Sequence, residues 1–220
     1  MAFPIFPVVE KADMFPTAEV RWFYEGTVPL EVLDWFHQGE LMPIVQPHRL
    51  DYYLAHTDDS LGIKLREGMI EIKQRHRGYG MIRLHDRVSG VVEHWRKWGF
   101  KLADLDGNFP WIATADSSWI GVHKDRKVRQ YLVDHNRQVV ALPSIGYPEQ
   151  GCNLELTAIS IKGETWWSLC FESFGDEDTI CETLTQVAKY TLVATKPPLL
   201  DNKHTFSYPK WLELVLGSNR

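Results

Sequence analysis

Leu61-Gly62-Ile63-Lys64-Leu65-Arg66 and Ile70-Glu71-Ile72-Lys73-Gln74-Arg75 are two runs that alternate with a period of two, joined by Glu67-Gly68-Met69. That period belongs to strands, because successive side chains leave a pleated chain on opposite faces. Paired as a hairpin, the runs send Ile63, Leu65, Ile70 and Ile72 to one face. Lys64, Arg66, Glu71, Lys73 and Arg75, four cations and one carboxylate, go to the other. On the outside of a sheet these charges are merely solvated. Inside a closed barrel they form a site for a polyanion, because such a crowd of cations cannot stay dry and unpaired.

Alternation recurs along the chain. Ala18 to Glu25 reads as a strand with Glu19, Arg21 and Phe23 on one face and Val20, Trp22 and Tyr24 on the other. A helix is expected over Pro29 to Gln38, capped by Thr27, with Pro29 in its first turn, an apolar stripe of Leu30, Leu33, Trp35 and Phe36, and Gly39 as its stop. His48 to Ala55 reads as a strand followed by a turn over His56 to Ser60. Val91 to Phe100 fits a strand that groups Glu93, Trp95 and Lys97, or else a helix that brings Trp95 and Trp98 together; the strand is the preferred reading. Further strands are expected at Trp111 to Thr114, at Trp119 to Val133 with a bend or bulge, and at Gln138 to Leu142, with a turn at Asp106-Gly107-Asn108. Asn153 to Ile161 and Thr165 to Phe174 form a second hairpin about Lys162-Gly163-Glu164. Asn153, Glu155 and Thr157 share a face of the first strand, and Trp166, Ser168, Cys170 and Glu172 a face of the second. Asp176-Glu177-Asp178 then places acid at the positive end of a helix with Ile180, Leu184, Val187 and Ala188 as its stripe, which Lys196-Pro197-Pro198 breaks. A last helix, Pro209 to Leu216, is placed over a barrel edge or end.

About eight to ten alternating strands with few helices predict a mainly β (α+β) fold, a closed or nearly closed antiparallel barrel with peripheral helices, in one domain over 1–220. Two packing schemes compete. Either the apolar faces fill the barrel and the charges are solvated, or the charged faces turn inward and the apolar faces pack on helices.

With 44% hydrophobic and 12% aromatic residues the chain can bury a full core, and a net charge of −5 argues against bulk adhesion to duplex nucleic acid or anionic membrane. Any phosphate site is therefore a pocket. Three cysteines without CxxC spacing indicate neither a disulfide framework nor a zinc site, and point to a reducing compartment. Met1 to Asp13 lacks a leader pattern and no apolar run reaches about 18 residues, so a soluble, cytoplasmic protein is expected. His48, His85, His94 and His123 show no ligand spacing, Gly78-Tyr79-Gly80 is not a phosphate loop, and Ser117-Ser118 is not a nucleophile elbow. Trp95 or Trp119 at a tunnel mouth is a candidate platform for a nucleotide base.

The stretch from Arg49 to Arg75, with Asp51-Tyr52-Tyr53-Leu54, Leu61 to Gly68 and Ile70 to Arg75, resembles the CYTH-like domain of the triphosphate tunnel metalloenzymes. The order that follows is similar too: a strand with Lys124 and Arg126, acid-bearing strands at Glu155 and Glu172, then a helix. The resemblance implies a tunnel lined by basic residues and glutamates, binding or hydrolysing a triphosphate or polyphosphate ligand with Mg²⁺ or Mn²⁺. Carried over residue by residue, it implies that Arg21, Lys64, Arg66, Lys73, Arg75, Lys124 and Arg126 grip phosphate, that Glu19, Glu155 and Glu172 hold metal, and that Glu19, Glu172, Arg66 and Lys73 serve catalysis. Glu71 would orient a cation or join the metal pole. The family's ExExK pattern stands here as Glu19-Val20-Arg21-Trp22-Phe23, so a cation replaces the second carboxylate, and Cys170 stands two residues before Glu172. An inactive relative that only binds polyanions, or a protein-interaction module, is the alternative.

Overall fold

The computed structural model describes residues 14–56, 58–101, 118–146, 148–193 and 196–217. Among these are ten strands: β1 (Met14–Glu25), β2 (Ile44–Val45), β3 (Arg49–Leu54), β4 (Leu61–Arg66), β5 (Met69–His85), β6 (Val88–Lys101), β7 (Trp119–Val133), β8 (Val139–Leu142), β9 (Gly151–Ile161) and β10 (Glu164–Phe174). Three helices accompany them, α1 (Leu30–His37), α2 (Ile180–Val193) and α3 (Tyr208–Gly217).

Eight strands make a closed antiparallel ring in the order β3-β4-β5-β6-β1-β10-β9-β7. The ring closes where β7 returns to β3, with Arg49 opposite Lys124 and Leu54 opposite Trp119. β2 and β8 pair with β7 beyond β3. Both predicted hairpins are present and turn in two residues. Arg66 faces Met69 across Glu67 (φ 48°) and Gly68 (φ 76°), and Ile161 faces Glu164 across Lys162 (φ 48°) and Gly163 (φ 83°). Positive φ at both central positions is the mirror-image turn whose twist matches that of the flanking strands.

The main core lies outside the ring. Val20 and Trp22 of β1, Leu154 and Leu156 of β9, and Trp167, Leu169 and Phe171 of β10 pack against Ile180, Leu184, Val187 and Ala188 of α2 and against Val32, Trp35 and Phe36 of α1. Their strand neighbours Glu19, Arg21, Glu155 and Glu172 therefore point inward. Of the two packing schemes, the molecule adopts the one with a charged interior. The helices decide this, because only the face away from the barrel axis can receive two amphipathic helices.

A second apolar cluster seals one end. Phe23, Tyr53, Ile159 and Ile161 continue the inward faces of their strands and meet Trp211, Leu212 and Val215 of α3. Phe23 stacks on Trp211 with ring centroids 4.7 Å apart, and Tyr53 on Tyr208 at 4.7 Å. The placement of the last helix over a barrel end is met.

Several local expectations change. α1 begins one residue later than Pro29, which is its N-cap and accepts from the amides of Val32 and Leu33 through its carbonyl; no side chain caps it, so Thr27 is not the cap. Val32, Trp35 and Phe36, at i, i+3 and i+4, form the buried stripe, whereas Leu30 is 79% exposed. β7 runs without a register shift, and the irregularities fall on β5, at Arg75/Arg77, Gly78/Gly80 and Arg83/His85. These shifts break the period of two and hid the second half of that strand. The expected turn at Asp106-Gly107-Asn108 and strand from Trp111 to Thr114 lie outside the described residues. No helix among the described residues is long and apolar enough to cross a membrane.

Candidate functional site

All eight ring strands contribute to a chamber of about 190 Å³. β1 supplies Glu19 and Arg21, β3 supplies Arg49 and Tyr53, and β4 supplies Lys64 and Arg66. β5 brings Glu71 and Lys73, β6 Lys97, β7 Lys124 and Arg126, β9 Glu155 and Thr157, and β10 Glu172. Tyr208 and Pro209 of α3 complete the lining. Eight cations thus face four carboxylates. Asp51, wholly buried beside the wall, reduces the positive surplus to three.

Each carboxylate lies near at least two cations. Glu19 accepts from Lys73 at 2.6 Å and lies 4.0 Å from Arg21. Glu172 accepts from Lys97 at 2.8 Å, with Lys73 at 3.8 Å. Glu155 accepts from Arg21 at 3.1 Å and from Nε of Arg126 at 2.8 Å. Glu71 pairs with Lys64 at 2.7 Å and Arg66 at 2.8 Å. Asp51 accepts from Lys124 at 2.8 Å, with Arg49 at 3.4 Å.

Sheet register produces these partnerships. Across β1-β10-β9, Arg21, Cys170 and Glu155 lie side by side, and the small Cys170 lets the guanidinium reach the carboxylate over it. Across β5-β6, Lys73 stands directly opposite Lys97, a like-charge pair that would repel. Glu172 offsets that repulsion. Across β6-β1-β10, Glu93, Glu19 and Glu172 form a row of three acids, balanced by Arg75, Lys73 and Lys97.

The electrostatics follow from burial and these neighbours. Burial opposes ionisation of Glu71, but Lys64 and Arg66 outweigh it and hold the carboxyl down at about 2. Glu172, Asp51 and Glu155 are held below the ordinary carboxylate range against the same opposition of burial, by Lys97 and Lys73, by Lys124, and by Arg126 and Arg21 respectively. Burial pushes Lys124 well below the ordinary lysine value, with Lys64 and Arg49 adding to it against the pull of Asp51. Lys64 is lowered in the same way, chiefly by burial. Burial also raises the Cys170 thiol, against the pull of Arg21.

The chamber assembles all but one of the residues expected at the site. The exception is Arg75, clamped between Asp59 at 2.5 Å and Glu93 at 2.7 Å and lining a neighbouring cavity with Glu19 and Arg21. Arg75 keeps the phase of Glu71 and Lys73, but it lies further along the barrel, where Asp59 and Glu93 hold it in that adjacent cavity. Trp95 is fully buried beneath Lys73 and Arg75, so it offers no face to a base. Lys97, Arg49 and Tyr208 were not anticipated as site residues. The first two could have been found by extending the period of two along β6 and β3; Tyr208 carried no such signal, because a helix brings it in.

Glu19, Glu155 and Glu172, expected to share a metal, all line the chamber, but each is paired with cations, Lys73 being shared by Glu19 and Glu172 and Arg21 by Glu19 and Glu155. Mg²⁺ and Mn²⁺ seek several oxygen ligands. Among the described residues no group of three histidine, cysteine, aspartate or glutamate side chains is arranged to hold a metal ion. As they stand, these residues do not fit the divalent cation that the resemblance implied.

Fold and site together define the class: an eight-stranded antiparallel barrel with an ion-paired, net cationic interior closed over by a helix. No family model matches the chain, and neither curated proteins nor solved structures give a match.

Proposed function

We propose that this barrel is a CYTH-like receptor for a small polyanion, a triphosphate or polyphosphate group held in its basic chamber. The observation that carries the reading is the excess of eight cations over four carboxylates in one enclosed space. A charge pair at about 4 Å gains about 1 kcal/mol in bulk water and about 4 kcal/mol at an effective permittivity of about 20, so an anion gains more against the chamber's cations than against the same charges in bulk water. Lys64, Arg66, Lys73 and Lys97 are each only 18 to 32% exposed in their side chains, which suits them to grip phosphate oxygens while remaining reachable. The protein's overall charge of −5 then works as selection, favouring a compact anion that enters the chamber over an extended nucleic acid.

The test is calorimetric titration with inorganic triphosphate, ATP and orthophosphate, alongside phosphate release from the first two. Saturable triphosphate binding at one site, weakened about tenfold or more by Lys73→Met, is the expected result. Equal, weak binding of all three anions that ignores Lys73→Met would remove the reading. Phosphate release would add hydrolysis to binding.

A further inference from the structure

We infer that the chamber takes its polyanion without a divalent metal, because the guanidinium of Arg21 and the ammonium groups of Lys73 and Lys97 already occupy the carboxylates such an ion would need. This deepens the proposed function and rests on it. Arg21 is 8% exposed, and donates to Glu155 at 3.1 Å and to Ser168 at 3.4 Å. Its charge cannot withdraw into solvent. Lys73 reaches both Glu19 at 2.6 Å and Glu172 at 3.8 Å, bridging two glutamates that are direct cross-strand partners. For a divalent ion to use these two carboxylates, it would have to displace Lys73 and Lys97 within a chamber whose charge already repels it.

The carboxylates then have a different task. They keep eight mutually repelling cations in fixed positions, and an arriving polyanion takes over part of that neutralisation. Two consequences have a definite sign. Magnesium, which reduces the charge of triphosphate by chelating it, should oppose binding. Removing one tethering carboxylate should favour it, since a negative charge leaves the site while the cations stay.

The experiment is titration of the full chain with sodium tripolyphosphate in EDTA, repeated with magnesium in excess over the ligand. Binding in EDTA that weakens by about tenfold with magnesium is expected. Glu172→Gln, close to isosteric, is expected to bind several-fold more tightly in EDTA. Glu71→Gln should move in the same direction, and provides the test should Glu172→Gln fail to fold. Binding that requires or strengthens with magnesium, or that weakens in both variants, overturns the inference and leaves the proposed function standing. No binding in either buffer overturns both.

Discussion

Asp51 and Lys124 show how much single residues matter here. Asp51 is wholly buried and its Oδ1 has no hydrogen-bond partner, so its charge rests on Lys124 at 2.8 Å, with Lys64 and Arg49 (3.4 Å) adding to it and the Tyr53 hydroxyl donating to Oδ2 at 3.4 Å. Lys124→Met should therefore destabilise the fold by about 3 kcal/mol or more, read as a lower urea midpoint, because truncating one partner leaves the other buried and underpaired. Asp51→Asn in the same background should recover part of the loss. Lys64 and Lys124 also make ligand binding pH-dependent. Burial lowers both below the ordinary value of 10.5, so they discharge early as pH rises, and a bound polyanion restores the proton. Affinity should fall through the alkaline range below 10.5, with proton uptake on binding seen as a dependence of the binding enthalpy on buffer ionisation.

At the scale of elements, the β1–β6 seam is paired over only part of its length. The two strands pair from Met14 opposite Trp98 to Glu19 opposite Glu93; beyond that Thr205 bridges to Trp22, and Leu200 to Val88. Gly90 sits in the opened seam, where a Cβ would lie 2.6 Å from Val20 Cγ2 and 2.9 Å from Trp22 Cζ2. Trp22 is held in place by its indole N–H, which donates to the Ser89 carbonyl at 2.8 Å. Gly90→Ala should consequently cost about 1 to 3 kcal/mol through overpacking, measured as a fall in melting temperature. The strands themselves were largely legible. β4, the start of β5, β9 and β10 follow the alternation closely, and both tight turns are marked by a glycine. The end of β5 was not legible, because three register shifts erase the local period, and neither was the true stripe of α1, because apolar residues occur on more than one of its faces.

For the whole molecule, the chamber ties stability to acid. Glu71, Glu155, Glu172 and Asp51 have folded pKa values below their ordinary ones, so their stabilisation is complete above about 4.5 and is lost as pH falls through the folded values, Glu71 at about 2. Glu93 works the other way. Burial raises its pKa, and Glu19 adds to this against the bond from Arg75, so its ionised form costs stability that is regained on protonation. With four groups against one, net stability should decline from pH 4.5 toward 2. Circular dichroism during acid titration checks this, and Glu71→Gln should flatten the low end of the curve.

The sequence by itself determined which residues share a strand face and hence which chemistries travel together: Lys64 with Arg66, Lys73 with Glu71, Glu155 with Thr157. A period of two is local and holds wherever the strand carries no bulge. Which face turns inward, which cation meets which carboxylate, and that Arg75 leaves the chamber while Tyr208 joins it were decided only by the closed ring and its helices. Those outcomes depend on registers between strands as far apart as Arg21 and Glu155, and on which apolar faces α1 and α2 cover. No spacing within a single strand encodes either.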